Sequence, residues 1–367
     1  MRPQGAALDS SWSCLRRPDQ LPTPSGRNSA VTLGLCFGRS TTVAAVADIP
    51  DSVLRVAGAQ VRVGTCSWAD ATLVKDSDWY PKRSMKAAER LAYYASQFAV
   101  VEVDSTYYFP PTPELSQSWV DRTPPGFTMD VKAWSLLTGH PTFPHSLWPD
   151  LQDSVKPEFR DKRNLYAKHL PEEVVDECWE RFRHSLIPLH EGGRLGGVLL
   201  QWPDWFGPKD ANRDQIRMAV DALHPFPCFI EFRNRRWLEG EGCEETLSFL
   251  EDEGLPFVCV DEPQGFESSV PPVLAATSPL AVVRFHGHNN ENWMKRGISA
   301  AERFRYRYDD AELSHWSQRL RQLAATTDSV HVLFNNCWQD YAVRNATSMS
   351  ALLGEIGDMG DTEHSTE

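Results

Sequence analysis

The strongest constraint on this chain is an alternation. Eight short runs of β-branched and apolar residues, each closed by turn residues, fall at 61–66, 100–104, 127–132, 197–202, 228–233, 256–261, 280–286 and 330–336. Helical patterns separate most of them, at 84–98, 172–189, 212–223, 244–253 (closed by Gly254) and 309–325. The last is the clearest, with Leu313, Trp316, Leu320 and Leu323 on one stripe and Asp309 with Glu312 as a capping box. Eight strands alternating with helices predict an α/β chain of the (β/α)8 TIM-barrel class, closed by pairing the eighth strand with the first. An open doubly wound sheet is the rival. It would want a glycine-rich phosphate turn after the first strand, and Gly64-Thr65-Cys66-Ser67-Trp68 is not one.

The pattern occupies 58–353 as a single domain. Residues 1–57 are rich in Ser, Pro, Gly and Ala without sustained periodicity and predict a disordered extension, while 354–367 reads as a frayed acidic tail. Two connections are irregular: the third, 133–195, carries an extra segment rich in Pro, His and Trp, and the sixth, 262–279, shows no helix. On the βα side of a barrel such insertions become lids or binding loops.

Composition excludes several classes. With 37 Lys+Arg against 50 Asp+Glu the formal charge is −13, which argues against indiscriminate binding to DNA or an anionic membrane. No stretch approaches the roughly 20 apolar residues of a spanning helix; the mildest candidate, 30–49, is broken by Arg39, Ser40, Thr41 and Thr42. Arg16 and Arg17 lead into Pro18 and Asp19 and not into an apolar core, so no export signal is expected. The eight cysteines (14, 36, 66, 178, 228, 243, 259 and 337) form no CxxC pair and read as reduced thiols of a cytoplasmic protein.

Function is concentrated at the strand ends. Side chains two apart share a face of a strand, which groups Glu102 with Asp104, Asp130 with Lys132, Glu231 with Arg233, Cys259 with Asp261, and Arg284 with His286; Gln201 ends the fourth run, Asn335 and Asn336 the eighth. A barrel builds its active site from such residues at the C-terminal rim. The expected catalytic set is Glu231 and His286 as an acid/base pair, with Glu102 and Asp261 beside them. Arg284 and Lys132 would stabilise developing negative charge, and Arg233, extended by Arg235 and Arg236, would grip an anion. Asp104, Gln201 and Asn336, with the aromatic Tyr107, Trp237 and Trp293, complete the substrate-binding set. Trp68, Tyr108, Trp134, Trp202 and Trp338 also lie at or just after strand ends, and some of these rings must be loop packing.

Five rim carboxylates (102, 104, 130, 231 and 261) face three fixed cations, leaving two surplus negative charges with His286 neutral. A divalent, oxygen-preferring metal would suit that surplus, but Lys132, Arg233 and Arg284 would repel it, and the HxH pair His286 and His288 is a weak signature. Ion pairing among the rim groups is the favoured account, with His288 a hydrogen-bonded loop residue, and no metal or cofactor is assigned. Cys66 and Cys337 should be neighbours at the closure of the barrel, most simply as two unrelated thiols.

The segments Val63-Gly64-Thr65-Cys66-Ser67-Trp68, Val101-Glu102-Val103-Asp104-Ser105-Thr106-Tyr107-Tyr108, Leu199-Leu200-Gln201-Trp202-Pro203, Ile230-Glu231-Phe232-Arg233-Asn234-Arg235-Arg236-Trp237, Arg284-Phe285-His286-Gly287 and Phe334-Asn335-Asn336 together resemble the YecE-like family, domain of unknown function 72, over about 60–353. The resemblance implies a TIM barrel and a polar set matching the rim residues above, with Ser105 added; it implies no activity. Asp104 stands where that family commonly has Asn, Trp202 where Phe is usual, and Cys66 in a small-residue turn. The Asp104 departure weakens the surplus-charge case for a metal.

Three functions compete. The first is an enzyme hydrolysing or isomerising a small polar, anionic or polyhydroxylated, carbohydrate-like substrate at the rim; metal-dependent sugar isomerases and abasic-site endonucleases share such barrels by fold analogy only. The second is single-stranded nucleic-acid binding or phosphodiester processing, suggested by Arg296, Arg303, Arg305 and Arg307 interleaved with Trp293, Phe304, Tyr306 and Tyr308; the net charge favours a solvated loop instead. The third is a barrel that binds a metabolite without turning it over. The sequence assigns no oligomeric state.

Overall fold

The computed structural model describes residues 52–266 and 268–354. Eight parallel strands form the barrel: β2 (Ala59–Thr65), β3 (Val100–Val103), β4 (Thr128–Lys132), β5 (Leu195–Trp202), β6 (Cys228–Phe232), β7 (Val258–Asp261), β8 (Leu280–Phe285) and β9 (Ser329–Phe334). They run in the order β6-β5-β4-β3-β2-β9-β8-β7. The eighth barrel strand pairs with the first as expected, from Gln60 with Ser329 through Thr65 with Phe334. The remaining seam, β6 to β7, narrows to one parallel bridge, Ile230 with Phe257, where Ile230 N donates to Pro256 O (2.9 Å). Pro256 has no N–H to return, which limits the ladder there.

One strand lies inside the segment expected to be irregular. β1 (Val53–Val56) pairs antiparallel with β2 through Ala57 and Gly58, both at positive φ (49° and 92°). Two consecutive positive-φ residues make the tight hairpin turn that matches strand twist; a four-residue strand was too short to register as periodicity. The rest of the expected extension, 1–51, and the tail 355–367 lie outside the described residues.

Nine helices are described: α1 (Ala71–Lys75), α2 (Ala87–Ala95), α3 (Pro113–Val120), α4 (Glu172–Glu191), α5 (Asp210–Leu223), α6 (Glu241–Asp252), α7 (Ala300–Arg303), α8 (Asp310–Ala324) and α9 (Tyr341–Gly354). The α8 capping box forms as read: Glu312 N donates to Asp309 Oδ1 and Asp309 N to Glu312 Oε2, each 2.9 Å. Its stripe of Leu313, Trp316, Leu320 and Leu323 is buried, each large side chain contributing about 1.5–3 kcal/mol. α1, α3, α7 and α9 were not among the expected helices. α3 starts with Thr112 Oγ1 accepting from Leu115 N (3.2 Å) and Pro113 in its first turn, a start signal that an eight-residue helix barely follows with periodicity. Among the described residues no helix is long and apolar enough to cross a membrane.

The sixth connection has no helix among its described residues, as expected. Ahead of α4, the long third connection folds into short 3-10 segments, with Thr142 bridged to Leu165. This brings His140 back to the barrel mouth, where its ring meets Tyr107 edge to face at 5.3 Å.

Candidate active site at the barrel mouth

Arg284 on β8 is the centre of the barrel interior, 1% exposed. Glu102 on β3 binds it side-on, with Nε to Oε2 and Nη2 to Oε1 both 2.7 Å, while Nη1 donates to Glu231 Oε2 on β6. Both carboxylates are fully buried. Cys66, at the end of β2, completes this layer: its Sγ lies 3.4 Å from Glu102 Oε2 and 3.8 Å from Arg284 Nη2.

The next layer is built around Arg233. Its Nε lies 2.9 Å from Glu231 Oε1, Nη1 donates to Glu262 Oε2, and Nη2 lies 3.3 Å from His286 Nε2. Gln201 Nε2 donates to the same Glu231 oxygen at 2.6 Å. Glu262 also accepts from Val270 N (2.8 Å), so the sixth connection is fastened to the mouth. The Asn335 side-chain amide lies 2.8 Å from His286 Nδ1. Trp293 closes one side, with Arg233 5.7 Å over its ring and the His286 ring 6.3 Å away.

Alternation places most of the expected residues correctly and misplaces four. Asp261 points out of the barrel, where it accepts from Tyr308 OH (2.6 Å) and lies 3.0 Å from His288 Nε2. The inward residue is its neighbour Glu262, because Val260 and Glu262 share the opposite face. Asn336 likewise faces away, donating to Tyr306 O (2.9 Å) and Asn345 Oδ1 (2.8 Å), and Asn335 takes the inward position. Asp130 faces inward but lies one layer down, 2.8 Å from His331 Nδ1, and is not at the rim. Trp237 is fully buried, stacked on Phe232 at 4.4 Å with its N–H donating to Phe206 O (2.6 Å), so it packs the wall and presents no face to the mouth. His140, Glu262 and Asn335 are thus the mouth residues absent from the expected set. Parity counting could have found the last two; nothing periodic places His140.

Residues 62–366 match the family described as "Protein of unknown function DUF72". The chain belongs to this family. It is 34% identical over 297 residues to UPF0759 protein YunF of Bacillus subtilis (strain 168), covering 80% of this chain and 94% of that protein. Solved structures of DUF72 proteins from Enterococcus faecalis and Thermotoga maritima are similar at TM-scores of 0.64 and 0.61, each at 27% identity. Both cover 80% of this chain, and 95% and 99% respectively of their own. The barrel and the family resemblance read from the strand ends are therefore both borne out.

Electrostatics divides the DUF72 mouth into engaged and open groups. Burial alone would raise Glu231, but the guanidiniums of Arg284 and Arg233 outweigh it and hold its carboxyl well below the usual range. Burial, reinforced by Arg233, drives His286 down to about 3, so the imidazole is neutral. The neutral ring carries one proton; its Nδ1 faces the Asn335 side-chain nitrogen at 2.8 Å, and its Nε2 faces Arg233 Nη2 at 3.3 Å and Glu231 Oε1 at 3.7 Å. Burial raises Glu262 to about 7 against the pull of Arg233.

Asp104 and Lys132 are different. Lys132 ends β4 and Asp104 follows β3, each one residue beyond the paired Val103 and Val131. Both are partly exposed. Among the described residues no donor bonds the Asp104 carboxyl, and no carboxylate lies within 4.0 Å of Lys132 Nζ, which sits over the Tyr107 ring 4.5 Å from its centroid. Burial and the charge of Glu102 lift Asp104 to about 7; burial and Arg284 bring Lys132 down to about 8.

Among the described residues no three His, Cys, Asp or Glu side chains converge as a metal ion would require. The arginine and aromatic run after β8 uses most of its rings for packing. Tyr308 is buried against Asp261, Tyr306 OH donates to Glu312 Oε1 (2.5 Å), Trp293 is buried, and Arg303 caps loop carbonyls, including Lys295 O at 2.8 Å.

Proposed function

We propose that the barrel mouth binds a small anionic, carbohydrate-like molecule and moves a proton on it, as an isomerase or hydrolase would, with Asp104 and Lys132 as the exchanging groups. What supports this is their isolation. Every other charged side chain of the mouth is engaged by a protein partner, whereas these two, each one residue past the Val103–Val131 pair, have no ion-pair partner among the described residues and remain available to a ligand. A general acid and base work best with pKa values near the operating pH, and Asp104 and Lys132 lie close to neutrality at about 7 and about 8.

Anion recognition falls to Arg233, whose side chain is 18% exposed. Of the five N–H groups on a guanidinium, three point to Glu231, Glu262 and His286, which leaves two for a carboxylate or phosphate. Glu102, Glu231 and Arg284 hold these groups in place and take no part in proton exchange. The acid/base role expected for Glu231 and His286 thus passes to the open pair above them.

The test is incorporation of solvent deuterium into carbon-bound positions of a panel of sugar phosphates and hydroxy acids, followed by NMR. We expect exchange with at least one member and a loss of about 100-fold or more in Asp104→Asn. No exchange, together with no thermal stabilisation by any panel member, would overturn the reading.

A further inference from the structure

Lys132 is placed and prepared unlike the other mouth cations. Arg284 and Arg233 are each held by two carboxylates. Lys132 Nζ has none within 4.0 Å among the described residues and rests on the face of Tyr107. Its backbone is fixed at the end of β4, where its carbonyl accepts from Thr106 Oγ1 (2.5 Å) and the next amide, Ala133 N, donates to Leu199 O (3.0 Å). The charged groups around it come from four elements: Glu102 and Asp104 on β3 and its end, Glu231 and Arg233 on β6 and its end, Arg284 on β8, and His140 from the third connection. A lysine that is desolvated and faces other cations, without an ion pair to hold its proton, is the arrangement that makes an amine nucleophilic near neutral pH.

We propose that Lys132 is a covalent catalyst, whose Nζ condenses with the carbonyl carbon of an anionic aldehyde or ketone to form a protonated imine. This deepens the proton-transfer reading above and rests on it. The neutral amine adds to the carbonyl carbon, forming the C–N bond while one amine proton passes to the oxygen. The protonated Asp104 carboxyl then gives its proton to the resulting hydroxyl, the C–O bond breaks, and water leaves with one proton from each group. The cationic imine withdraws electrons from the adjacent carbon, and the Asp104 carboxylate left by that step stands beside it to take the proton there. Hydration of the imine reverses the sequence and frees Lys132. Arg233 holds the carboxylate or phosphate of the substrate, which restricts the class to carbonyl compounds bearing an anion.

At pH 7 an amine with a pKa of about 8 is neutral about one time in ten, against about one in 2,500 for an ordinary lysine. The intact protein is incubated at pH 7 with dihydroxyacetone phosphate or, separately, pyruvate; sodium borohydride is added to reduce any imine to a stable secondary amine, and the adducts are mapped by peptide mass spectrometry. We expect Lys132 to label at least tenfold faster than the exposed Lys82 and Lys209 of the same molecules, and the preferred adduct to vanish in Lys132→Arg. Labelling of Lys132 no faster than those two, with both probes, overturns the proposal. The wild-type rates alone decide it if Lys132→Arg does not fold. Deuterium exchange that persists without a Lys132 adduct would leave the acid/base reading standing and remove only the covalent step.

Discussion

Replacing Arg284 by Met separates a buried ion cluster from its cation with little change in volume. Glu102 and Glu231 are both fully buried, but they would be affected unequally. Glu231 keeps Arg233 at 2.9 Å and Gln201 at 2.6 Å. Glu102 loses both guanidinium contacts and retains the Cys66 thiol alone. A carboxylate stranded in that position takes up a proton instead of remaining charged. Against an ordinary carboxyl pKa of about 4.3, doing so costs about 3.7 kcal/mol at pH 7 and about 1 kcal/mol at pH 5, within the about 3–5 kcal/mol typical of breaking a buried pair. For a domain of this size about 4 kcal/mol corresponds to a fall in Tm of about 8 °C. Adding Glu102→Gln removes the proton requirement, so the double variant should recover most of that loss at pH 7 and almost none of it at pH 5. Denaturant titrations of the wild type, both single variants and the double variant at the two pH values form the cycle. A penalty under about 1 kcal/mol for Arg284→Met at pH 7, or one that does not shrink toward pH 5, would refute the assignment of Arg284 as the counter-ion on which the barrel interior depends.

The open pair gives a prediction of opposite sign. Burial lifts Asp104 to about 7, so the folded state prefers its protonated form; that preference stabilises the fold below the ordinary value and is lost as pH rises through about 7. Asp104→Asn should therefore raise stability at pH 8 by about 2 kcal/mol, with the gain gone below about pH 4 and proton exchange lost throughout; thermal melts across that range check it. His288, clasped between Asp261 (3.0 Å) and Glu312 (3.4 Å), is raised to about 10 because those bonds overcome burial. Its contribution is fully present below about 6.5 and lost as pH rises through about 10, so the Tm difference between wild type and His288→Gln should narrow above that pH. Trp202 and Trp237 form a paired test: both are buried, but the Trp202 N–H has no partner among the described residues while that of Trp237 donates at 2.6 Å. Trp237→Phe should cost about 1–2 kcal/mol more than Trp202→Phe, and equal costs would contradict the bonding described. Cys66 is raised well above its ordinary range by burial and then by Glu102. It should resist iodoacetamide in the native protein and react only on unfolding, as peptide mapping would record.

The barrel was legible because strand and turn residues are local signals, and eight of them in alternation with helices admit few topologies. The site was legible to the resolution of alternation and no further. Where a run ended unambiguously, as with Arg284 and His286 or Glu231 and Arg233, period two put the side chains inward. At Asp261–Glu262 and Asn335–Asn336 two polar residues stand together, and parity has to be counted from the strand's own core residues. Val258 and Val260 lead to Glu262; His331 and Leu333 lead to Asn335. Asp130 shows the complementary failure: its direction was right and its depth was not, because depth depends on which side chain meets it across the barrel interior, here His331 of β9. His140 illustrates a harder limit, since a residue delivered by a 60-residue connection is placed by tertiary closure alone.

Which groups could exchange protons was not legible at all, and the reason is physical. The sequence presents Glu231 and His286 as an acid/base pair of ordinary character, but their partners decide their charge. Two guanidiniums hold Glu231 as an anion, and the same Arg233 with burial keeps His286 neutral. Neither group changes protonation near pH 7, so neither can give and recover a proton there. The buried cluster acts instead as a fixed field: Arg284 lowers Lys132 and the charge of Glu102 raises Asp104, each after burial. The two shifts have opposite signs and converge on neutrality. Removing Arg284 takes away a larger effect on Lys132 than the opposing one lost when Glu102 takes up its proton, so Lys132 should still rise, and the borohydride labelling rate of Lys132 in Arg284→Met should fall toward that of Lys82 even where the variant remains folded. A rate unchanged from wild type would mean that the cluster supports the barrel but does not tune the groups above it.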